Sequence, residues 1–442
     1  MQNKTIPPLF RGGFFVMKMF SKFRGDFAKS VMTLVTGTVL SQLIVFALSP
    51  IISRIYTPEE TAYFSIYMRI VLFVSTIATA RFESALALPK RIEHAFSLYR
   101  LLIQLILITF FASILIVVIM ALFWSKESST TFILLMVPLG FAPLCLMNIG
   151  NNWGLRNGDF KEISRVRMLN SLSMNSSNIL FGAFGLGYKG LIFGYIVGVL
   201  LPASWFTRKY HLLKLKFKDF STRNRKKIIG KTYIEFPKVN LPHAIMDISR
   251  EMLIVFFILL YYDKTTLGSY DFSFKMLKLP LTVLGSAIGQ VYFQKIATKK
   301  NNGESLIGIT LETMRNLFLF SIVPFGLLFF IGDEIFSFVF GENWRQAGEY
   351  SQIMAPWLML NLIVSPISQL PIVLGKLKAF FWIGLVGSIL LISFLNLPFF
   401  LGYQLSFNVV LKWVNWTQFA FMLFVLIWMV KLVSKTKHDF AK

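Results

Sequence analysis

Six basic residues of this chain lie inside otherwise apolar stretches of about 20 residues, the length that crosses a lipid bilayer as a helix. They are Arg69, Arg81, Arg250, Lys275, Lys278 and Lys412, and the acidic residues Glu83, Asp247 and Glu251 are among those that accompany them. A charge at the bilayer centre costs about 2.5 to 3.5 kcal/mol on insertion scales, so it is retained mostly where it faces a cavity or a partner. These residues are therefore the candidates for a binding site within a membrane.

Two of the cations share one depth, and a third shares a helix face with one of them. Arg69 follows the start of its stretch by about seven residues, or about 10 Å at helical rise, and Lys275 lies at the matching depth of a later stretch. Lys278 follows Lys275 by three residues and shares its helix face. We predict that these three residues line a water-filled, cationic cavity, and a cationic cavity implies an anionic substrate.

A second polar face lies in the seventh apolar stretch. Asp247, Arg250 and Glu251 fall at positions i, i+3 and i+4, which places them on one side of a helix. Arg250 is a further candidate for the cationic cavity, and the two carboxylates are candidates to bind a coupling proton or sodium ion. An ion pair within the helix, formed only to lower the cost of insertion, is the alternative.

The remaining charges lie nearer to the ends of their stretches. Arg81 is a further candidate for the cavity, and Glu83 is a third candidate for the coupling ion. Snorkelling of these side chains, and of Lys412, to the membrane surface explains them equally well.

The stretches that position these residues number twelve. With 55% hydrophobic and 15% charged residues, and a mean hydropathy of +0.64, the chain is too apolar for a soluble fold. We predict an all-α membrane protein with about 12 transmembrane helices in two six-helix bundles around a central cavity. The predicted spans are 31–52, 62–88, 98–123, 132–153, 168–187, 189–206, 238–260, 268–293, 314–332, 352–374, 379–399 and 405–430.

Basic residues predict the orientation of these spans. Of the 45 lysines and arginines, nearly all those outside the spans fall in alternate loops. The opposite loops hold only Arg54, Lys126, Lys189, Lys264 and Arg345. Because basic loops stay in the cytoplasm, we predict a multi-pass protein of the bacterial cytoplasmic membrane with both termini in the cytoplasm.

The chain divides near its middle. We predict a basic cytoplasmic segment (1–30), an N-terminal bundle (31–206), a basic cytoplasmic linker (207–237), a C-terminal bundle (238–430) and a cytoplasmic tail (431–442). The linker is either only a solvated loop, or a loop that also binds anionic membrane lipids. In the second case each basic residue contributes about 1 kcal/mol to the free energy of membrane binding.

A shift of 206 residues aligns the turn after the first span with the turn after the seventh. Tyr56 then meets Tyr262, and Arg69 meets Lys275. Copies separated by six spans enter the membrane in the same direction, so the bundles would be related by an axis along the membrane normal.

Other chemistry is poorly supported. The four histidines have no metal-ligand spacing, no cofactor motif occurs, and the single cysteine, Cys145, reads as a packing residue. The formal charge of +24 is dispersed over loops, so nucleic acid is not an expected partner. The fifth span is rich in asparagine and serine, which either bond to neighbouring helices or line a path for a sugar.

Two long segments carry a resemblance. SQLIVFALSPIISRIYTPEETAYFSIYMRIVLFVSTIATARFESALALPK (Ser41 to Lys90) and GENWRQAGEYSQIMAPWLMLNLIVSPISQLP (Gly341 to Pro371) resemble the two recurrent segments of the Wzx-type O-antigen and polysaccharide flippases. These belong to the multidrug/oligosaccharidyl-lipid/polysaccharide exporter superfamily. The resemblance extends in length and loop plan over essentially the whole chain.

The resemblance implies a transporter and not an enzyme. Its implied substrate is undecaprenyl-diphosphate-linked oligosaccharide, moved from the cytoplasmic to the periplasmic leaflet, with polysaccharide polymerase machinery as a candidate partner. Two rival functions stay open. A multidrug or cation antiporter of the same superfamily would place carboxylates in the cavity, and a membrane polysaccharide polymerase would need a larger outer loop than the longest predicted here, about residues 333–351.

Overall fold

The computed structural model describes residues 26–123, 128–210, 223–403 and 405–439, and helices make up most of these ranges. Six long helices form the N-terminal half: α1 (Asp26–Ile55), α2 (Pro58–Thr79), α3 (Ile92–Phe123), α4 (Ser128–Asn157), α5 (Phe160–Ala183) and α6 (Tyr188–Lys209). Six more form the C-terminal half: α7 (Leu241–Tyr261), α8 (Lys264–Asn301), α9 (Ile307–Phe340), α10 (Arg345–Ile367), α11 (Leu377–Leu395) and α12 (Phe407–Asp439). Each predicted span overlaps one of these helices, so the predicted helical fold is confirmed.

Ten of the twelve helices are long and apolar enough to span a membrane within the described residues. The other two are α5, which is rich in asparagine and serine, and α7, which carries Asp247, Arg250 and Glu251. Helices this polar are accommodated in a membrane when their polar faces are covered by other helices or line a cavity. The chain is therefore a multi-pass membrane protein, and the polar side chains of α5 and the charged side chains of α7 need to be covered by other helices or to face water.

The predicted second span was wrong at both ends. The helix α2 begins at Pro58, and it ends at Thr79 because Ala80 and Arg81 adopt left-handed backbone angles, with φ of 47° and 61°. A short 3-10 helix, Phe82–Ala87, follows. Arg81 and Glu83 therefore lie in a turn beyond the helix and not inside a span.

The loop predicted at 333–351 is also wrong. Helix α9 continues to Phe340 and has a kink at Ile331, where φ is −133°. A 3-10 turn, Glu342–Trp344, leads directly into α10. At the end of the chain, α12 runs on to Asp439, so most of the predicted tail is helical. The basic N-terminal segment lies mostly outside the described residues.

Part of the predicted linker is a short helix, Arg223–Thr232, while residues 211–222 lie outside the described ranges. Ile229 of this helix is buried against the N-terminal half, and Gly230 approaches Leu101 of α3. Ile228 on the neighbouring face remains exposed. Tyr210, Tyr233 and Phe236 of the linker also pack against this core, so apolar contacts hold the described part of the linker to the N-terminal half.

Close packing of α5 on α6 explains the glycine spacing of α6. A side chain at Gly198 would meet the backbone of Met174 at 3.0 Å, and one at Gly194 would meet the backbone of Asn178 at the same distance. Small residues at this interface let the two backbones approach. Cys145 is buried in the core of the same half, as predicted.

The helix boundaries support the predicted repeat. Helix α1 ends at Ile55 and α7 at Tyr261, while α2 begins at Pro58 and α8 at Lys264. Each pair differs by the shift of 206 residues found in the sequence. The two halves therefore share one local plan where the first helix turns into the second.

Candidate functional site

The two halves meet where α2 crosses α8. Gly268 of α8 lies against the backbone of Pro58, and any side chain there would overlap the Pro58 carbonyl group. Ala62, the repeat equivalent of Gly268, is fully buried in the core of the C-terminal half. Small residues at equivalent positions thus bring the two helices into direct contact near their N-terminal ends.

Side-chain caps fix both helices at this crossing. Thr57 accepts a hydrogen bond from the Glu60 amide, and Glu60 accepts one from the Thr57 amide at 2.8 Å. In the other half, Asp263 accepts a bond from the Thr266 amide at 2.7 Å. Such caps satisfy amides that have no partner within the helix, so the start of each helix is well defined.

An ion pair joins the halves one to two turns further along. Arg69 of α2 contacts Asp271 of α8, with 2.7 Å between Nη2 and Oδ1. The side chains of Arg69 and Asp271 are only 18% and 11% exposed. Ser65 donates to the other oxygen of Asp271 and accepts from Arg69. Ser65 and Asp271 are themselves 206 residues apart, so the bond joins equivalent positions of the repeat.

Helix α7 adds the charges of its polar face to this pair. The Arg69 Nε donates to the backbone oxygen of Glu251 at 3.4 Å. Arg250 lies 3.5 Å from the Glu251 carboxylate and donates to Ser388 of α11 at 3.3 Å. All these charges, with Asp271, interact electrostatically with the buried Tyr270. The structure therefore brings Arg69, Arg250 and Glu251 together, although they come from opposite halves.

Lys275 and Lys278 lie beyond the crossing. Lys275 follows Asp271 by one turn on α8, interacts with it electrostatically, and is exposed. Lys278 is also exposed, with its ammonium group 5.1 Å from the centre of the Phe274 ring. On α2, Leu72 is exposed as well. Lys275, Lys278 and Leu72 are thus exposed side chains on α8 and α2 just beyond the point where the two helices cross.

Four cations and two carboxylates therefore lie on α2, α7 and α8 at the crossing or within about two turns of it. The cations are Arg69, Arg250, Lys275 and Lys278, and the carboxylates are Glu251 and Asp271. Arg69 and Arg250 have carboxylate partners. The lysines make this group of side chains positive overall, so the group suits an anion with more than one charge.

The end of the molecule on the other side of the crossing is closed by further contacts between the halves. Arg54 donates to the backbone oxygens of Val339 and Phe338, at 2.6 and 3.0 Å. Trp344 donates to the Ser53 oxygen at 2.7 Å. These bonds join the end of α1 to the end of α9, so the halves are tied together at the same end as the α2–α8 crossing.

Lys264 adds a contact at this end. Its ammonium group donates to the Tyr63 hydroxyl at 2.6 Å and lies 4.5 Å from the centre of that ring. A cleft of about 480 Å³ next to it is lined by Glu59, Asp263 and Lys264, among others. The contact is another tie between α2 and α8, made at the first residue of α8.

Other predicted residues lie apart from this cluster. The Arg81 Nη1 and Glu83 Oε1 atoms lie 3.4 Å apart in the turn after α2. The end of α2 at Thr79 is about 15 Å from Arg69 along the helix axis. Asp247 is paired with His243 at 3.4 Å, and both side chains are 62% exposed. Lys412 is exposed on α12 beside the exposed Trp413, as snorkelling would require.

Hydrogen bonds of α5 run both within the helix and to other parts of the chain. Asn170 donates to the Gly198 oxygen of α6 at 2.6 Å, and Asn175 donates to Ser171 of its own helix. The backbone oxygen of Asn178 accepts a bond from Tyr56 at 2.7 Å. The Asn170 bond is of the kind that the packing interpretation of α5 predicts, whereas the Asn175 bond stays within α5 and the Asn178 bond uses a backbone oxygen. In the described ranges, no group of three or more histidine, cysteine or acidic residues is arranged to hold a metal ion.

Asp271 is the functional candidate that the sequence interpretation missed. It lies in a predicted span, four residues before Lys275, and the shift of 206 aligns it with Ser65 rather than with a charge. The sequence alone could have indicated a role for Asp271, because a carboxylate inside a membrane span, next to two lysines, needs a partner. Arg69 is the partner, so this arginine is paired with an acid and is not a free cation.

A profile of the polysaccharide biosynthesis protein family matches residues 51–349, which is most of the chain and includes the crossing and the charged cluster. The chain belongs to the polysaccharide biosynthesis protein family. This agrees with the resemblance to polysaccharide flippases found in the sequence. No curated protein sequence matches the chain.

Solved structures of transporters and of a lipid flippase share the fold. A multidrug resistance MATE family transporter of the MOP superfamily, described as inward-facing, superposes with a TM-score of 0.65 at 14% identity, covering 96% of this chain and 99% of that one. The lipid II flippase MurJ, in an inward closed conformation, superposes with a TM-score of 0.63 at 16% identity. The match covers 93% of this chain and 91% of MurJ. An outward-facing structure of a MATE family transporter superposes with a TM-score of 0.55 at 13% identity. The match covers 95% of this chain and 98% of that one. At these identities the likeness establishes the fold, which is that of a MOP superfamily transporter.

Proposed function

We propose that this member of the polysaccharide biosynthesis family is a flippase for undecaprenyl-diphosphate-linked oligosaccharide, moving it from the cytoplasmic to the periplasmic leaflet of the bacterial inner membrane. The observation that carries the proposal is the ion pair of Arg69 with Asp271 across the halves, with Arg250, Glu251 and the two exposed lysines Lys275 and Lys278 on the helices that meet there. A diphosphate offers several charged oxygens to such a cluster, and hydrogen bonds between charged groups are roughly twice as strong as neutral ones. The polyprenyl chain would remain in the lipid beside the opening between the halves.

The family and the fold support this function. The family is named for polysaccharide biosynthesis, and one structural neighbour is named as a flippase for lipid II. Both facts agree with a lipid-linked saccharide and with transport rather than enzymatic catalysis. The neighbours that are multidrug transporters favour a drug antiporter instead, but the carboxylates of this cluster are paired with arginines and so offer little to a cationic drug.

The direction of transport follows from the orientation proposed from the basic loops. If both termini are cytoplasmic, the end tied by Arg54, Trp344 and the α2–α8 crossing faces the periplasm. Lys275 and Lys278 then lie on the cytoplasmic side of this closure. The arrangement corresponds to the state that accepts substrate from the cytoplasm, and rocking of the halves would present it to the other side.

Glu83 is the carboxylate that we put forward for the coupling ion. It is 5% exposed, and its Oε2 has no hydrogen-bond partner among the described residues. A buried charge with incomplete bonding is costly, so binding a proton or sodium ion would relieve it. If so, Glu83→Gln should abolish the dependence of transport on an ion gradient while exchange without a gradient continues. An unchanged gradient dependence would exclude Glu83.

A flipping assay in proteoliposomes tests the function itself. The substrate is a fluorescent undecaprenyl-diphosphate-linked sugar, and its appearance in the opposite leaflet is detected with a membrane-impermeant quencher. Wild type should flip it, and Arg69→Ala combined with Lys275→Ala should not. Lys412→Ala is the matched control because it removes an exposed cation remote from the cluster. Equal rates for the double variant and wild type would refute the proposed site.

A further inference from the structure

Asp271 occupies the place of an anion within the proposed site. Its side chain is 11% exposed, and one oxygen contacts Arg69 while the other accepts from Ser65. Lys275 lies one turn further on the same face of α8, close enough to interact with it electrostatically. Of the cations proposed to hold the diphosphate, Arg69 thus contacts this carboxylate and Lys275 lies one turn away from it on the same helix.

The same carboxylate also holds the two halves together. Arg69 and Ser65 belong to α2, and Asp271 belongs to α8, so breaking these bonds removes one of the ties between the helices at the crossing. The separation would begin next to Gly268, where the backbones touch. Whatever removes Arg69 from Asp271 therefore weakens the closure of the adjacent end.

We infer that Asp271 is an internal substitute for the substrate's diphosphate, and that the incoming anion displaces it from Arg69 and Lys275 and thereby releases the latch between α2 and α8. This inference rests on the proposed function. A ligand can shift a conformational equilibrium only if it binds one state better than the other. Here the anion binds better to the state in which Asp271 has left Arg69. Asp271 acts through the two cations and is a positioning residue.

The charge of Asp271 and its hydrogen bonding can be separated. Asn at this position keeps the size and can still accept from Ser65, but it removes the charge that competes with the substrate. Asp271→Glu keeps the charge and is the conservative variant. Glu304→Gln is the control for loss of a carboxylate, since Glu304 lies in the exposed turn between α8 and α9.

The experiment measures opening and binding in the full-length protein in nanodiscs. Spin labels replace Leu186 and Tyr403, two exposed residues in turns at the closed end of opposite halves. The turn that holds Leu186 reaches Glu60 at the start of α2 through Gly187, and Phe407, just beyond Tyr403, packs on Tyr262. The probe is undecaprenyl diphosphate, and undecaprenol is its neutral counterpart.

In the otherwise unmodified protein, the diphosphate should increase the population with the longer distance between labels, while undecaprenol should leave it unchanged. In Asp271→Asn the long-distance population should be raised without ligand, and the diphosphate should bind about 5 to 150 times more tightly, the usual range of coupling between sites. Asp271→Glu and Glu304→Gln should behave like the unmodified protein.

The inference is overturned if the diphosphate leaves the label distance unchanged in the protein with native Asp271, a result that needs no variant to fold. It is also overturned if Asp271→Asn binds the probe with unchanged affinity. Either result, together with loss of flipping in the Arg69 and Lys275 double variant, would leave the proposed function intact. Unaltered flipping in that double variant would reject the function itself.

Discussion

A methyl group at Gly268 should force the closed end of the protein open. In Gly268→Ala the new Cβ would lie 2.5 Å from the carbonyl carbon of Pro58, about 1 Å short of the ordinary separation of 3.5 to 4.0 Å between carbon atoms. Its nearest neighbours are backbone atoms, which no rotamer change can move. The helices α2 and α8 must therefore separate or distort at their crossing.

Overpacking of this kind costs about 1 to 3 kcal/mol. If the cost falls only on the closed state, the ratio of open to closed molecules rises by about 5- to 150-fold, since 1.4 kcal/mol corresponds to a factor of ten. An open population of about 1% would become about 5 to 60% by the same conversion. The change is large enough to detect by pulsed electron spin resonance with labels at Leu186 and Tyr403.

The matched control lies on the same helix. At Gly289 an added Cβ would be 3.5 Å from its nearest neighbour, Pro366, so Gly289→Ala should leave the label distances unchanged. Folding of both variants is checked by their elution as a single species in detergent. A folded Gly268→Ala with the distance distribution of the unmodified protein would refute the reasoning, as would an equal shift in Gly289→Ala.

Three further experiments test the closure, the cap of α8 and the packing of the core. Arg54→Ala removes the bonds to Val339 and Phe338 and should raise the long-distance population, whereas Arg165→Ala, which breaks an exposed pair within one helix, should not. Asp263→Ala removes the cap of α8 and should lower the free energy of unfolding by about 1 kcal/mol, measured by denaturation; an unchanged value would mean that the cap is dispensable. Cys145 is fully buried, so a maleimide should label the folded protein far more slowly than the denatured one, and equal rates would contradict the packing described.

Most of the fold could be predicted from hydropathy and from the distribution of basic residues. The twelve helices follow the predicted spans because an apolar stretch has few alternatives to a helix in a membrane. The errors lie at the ends, where hydropathy no longer reports the secondary structure. Helix α2 stops at the left-handed Ala80 although apolar residues continue to Leu88, and α9 continues through Asp333 although the sequence there turns polar.

The candidate site was predicted only in part. Depth in the membrane identified Arg69 and Lys275, but it could not show that Arg69 is paired. That pairing depends on the contact between Gly268 and Pro58, which is a tertiary feature of two helices about 200 residues apart. One helix face of α7 carries Asp247, Arg250 and Glu251, as predicted. Asp247 nevertheless pairs with His243, and Arg250 pairs with Glu251. The choice of partner depends on the direction of the side chains as well as on their spacing.

The central claim is that cations between the two halves hold the diphosphate of a lipid-linked saccharide. Equilibrium binding of undecaprenyl diphosphate to the purified protein, compared with neutral undecaprenol, tests it most directly. Hydrogen bonds to charged groups contribute about 1.5 to 3 kcal/mol each, so Arg69→Ala with Lys275→Ala should weaken binding of the diphosphate about 100-fold or more and leave the weak binding of undecaprenol unchanged. Equal affinity for the two lipids, or undiminished diphosphate binding by the double variant, would contradict the claim.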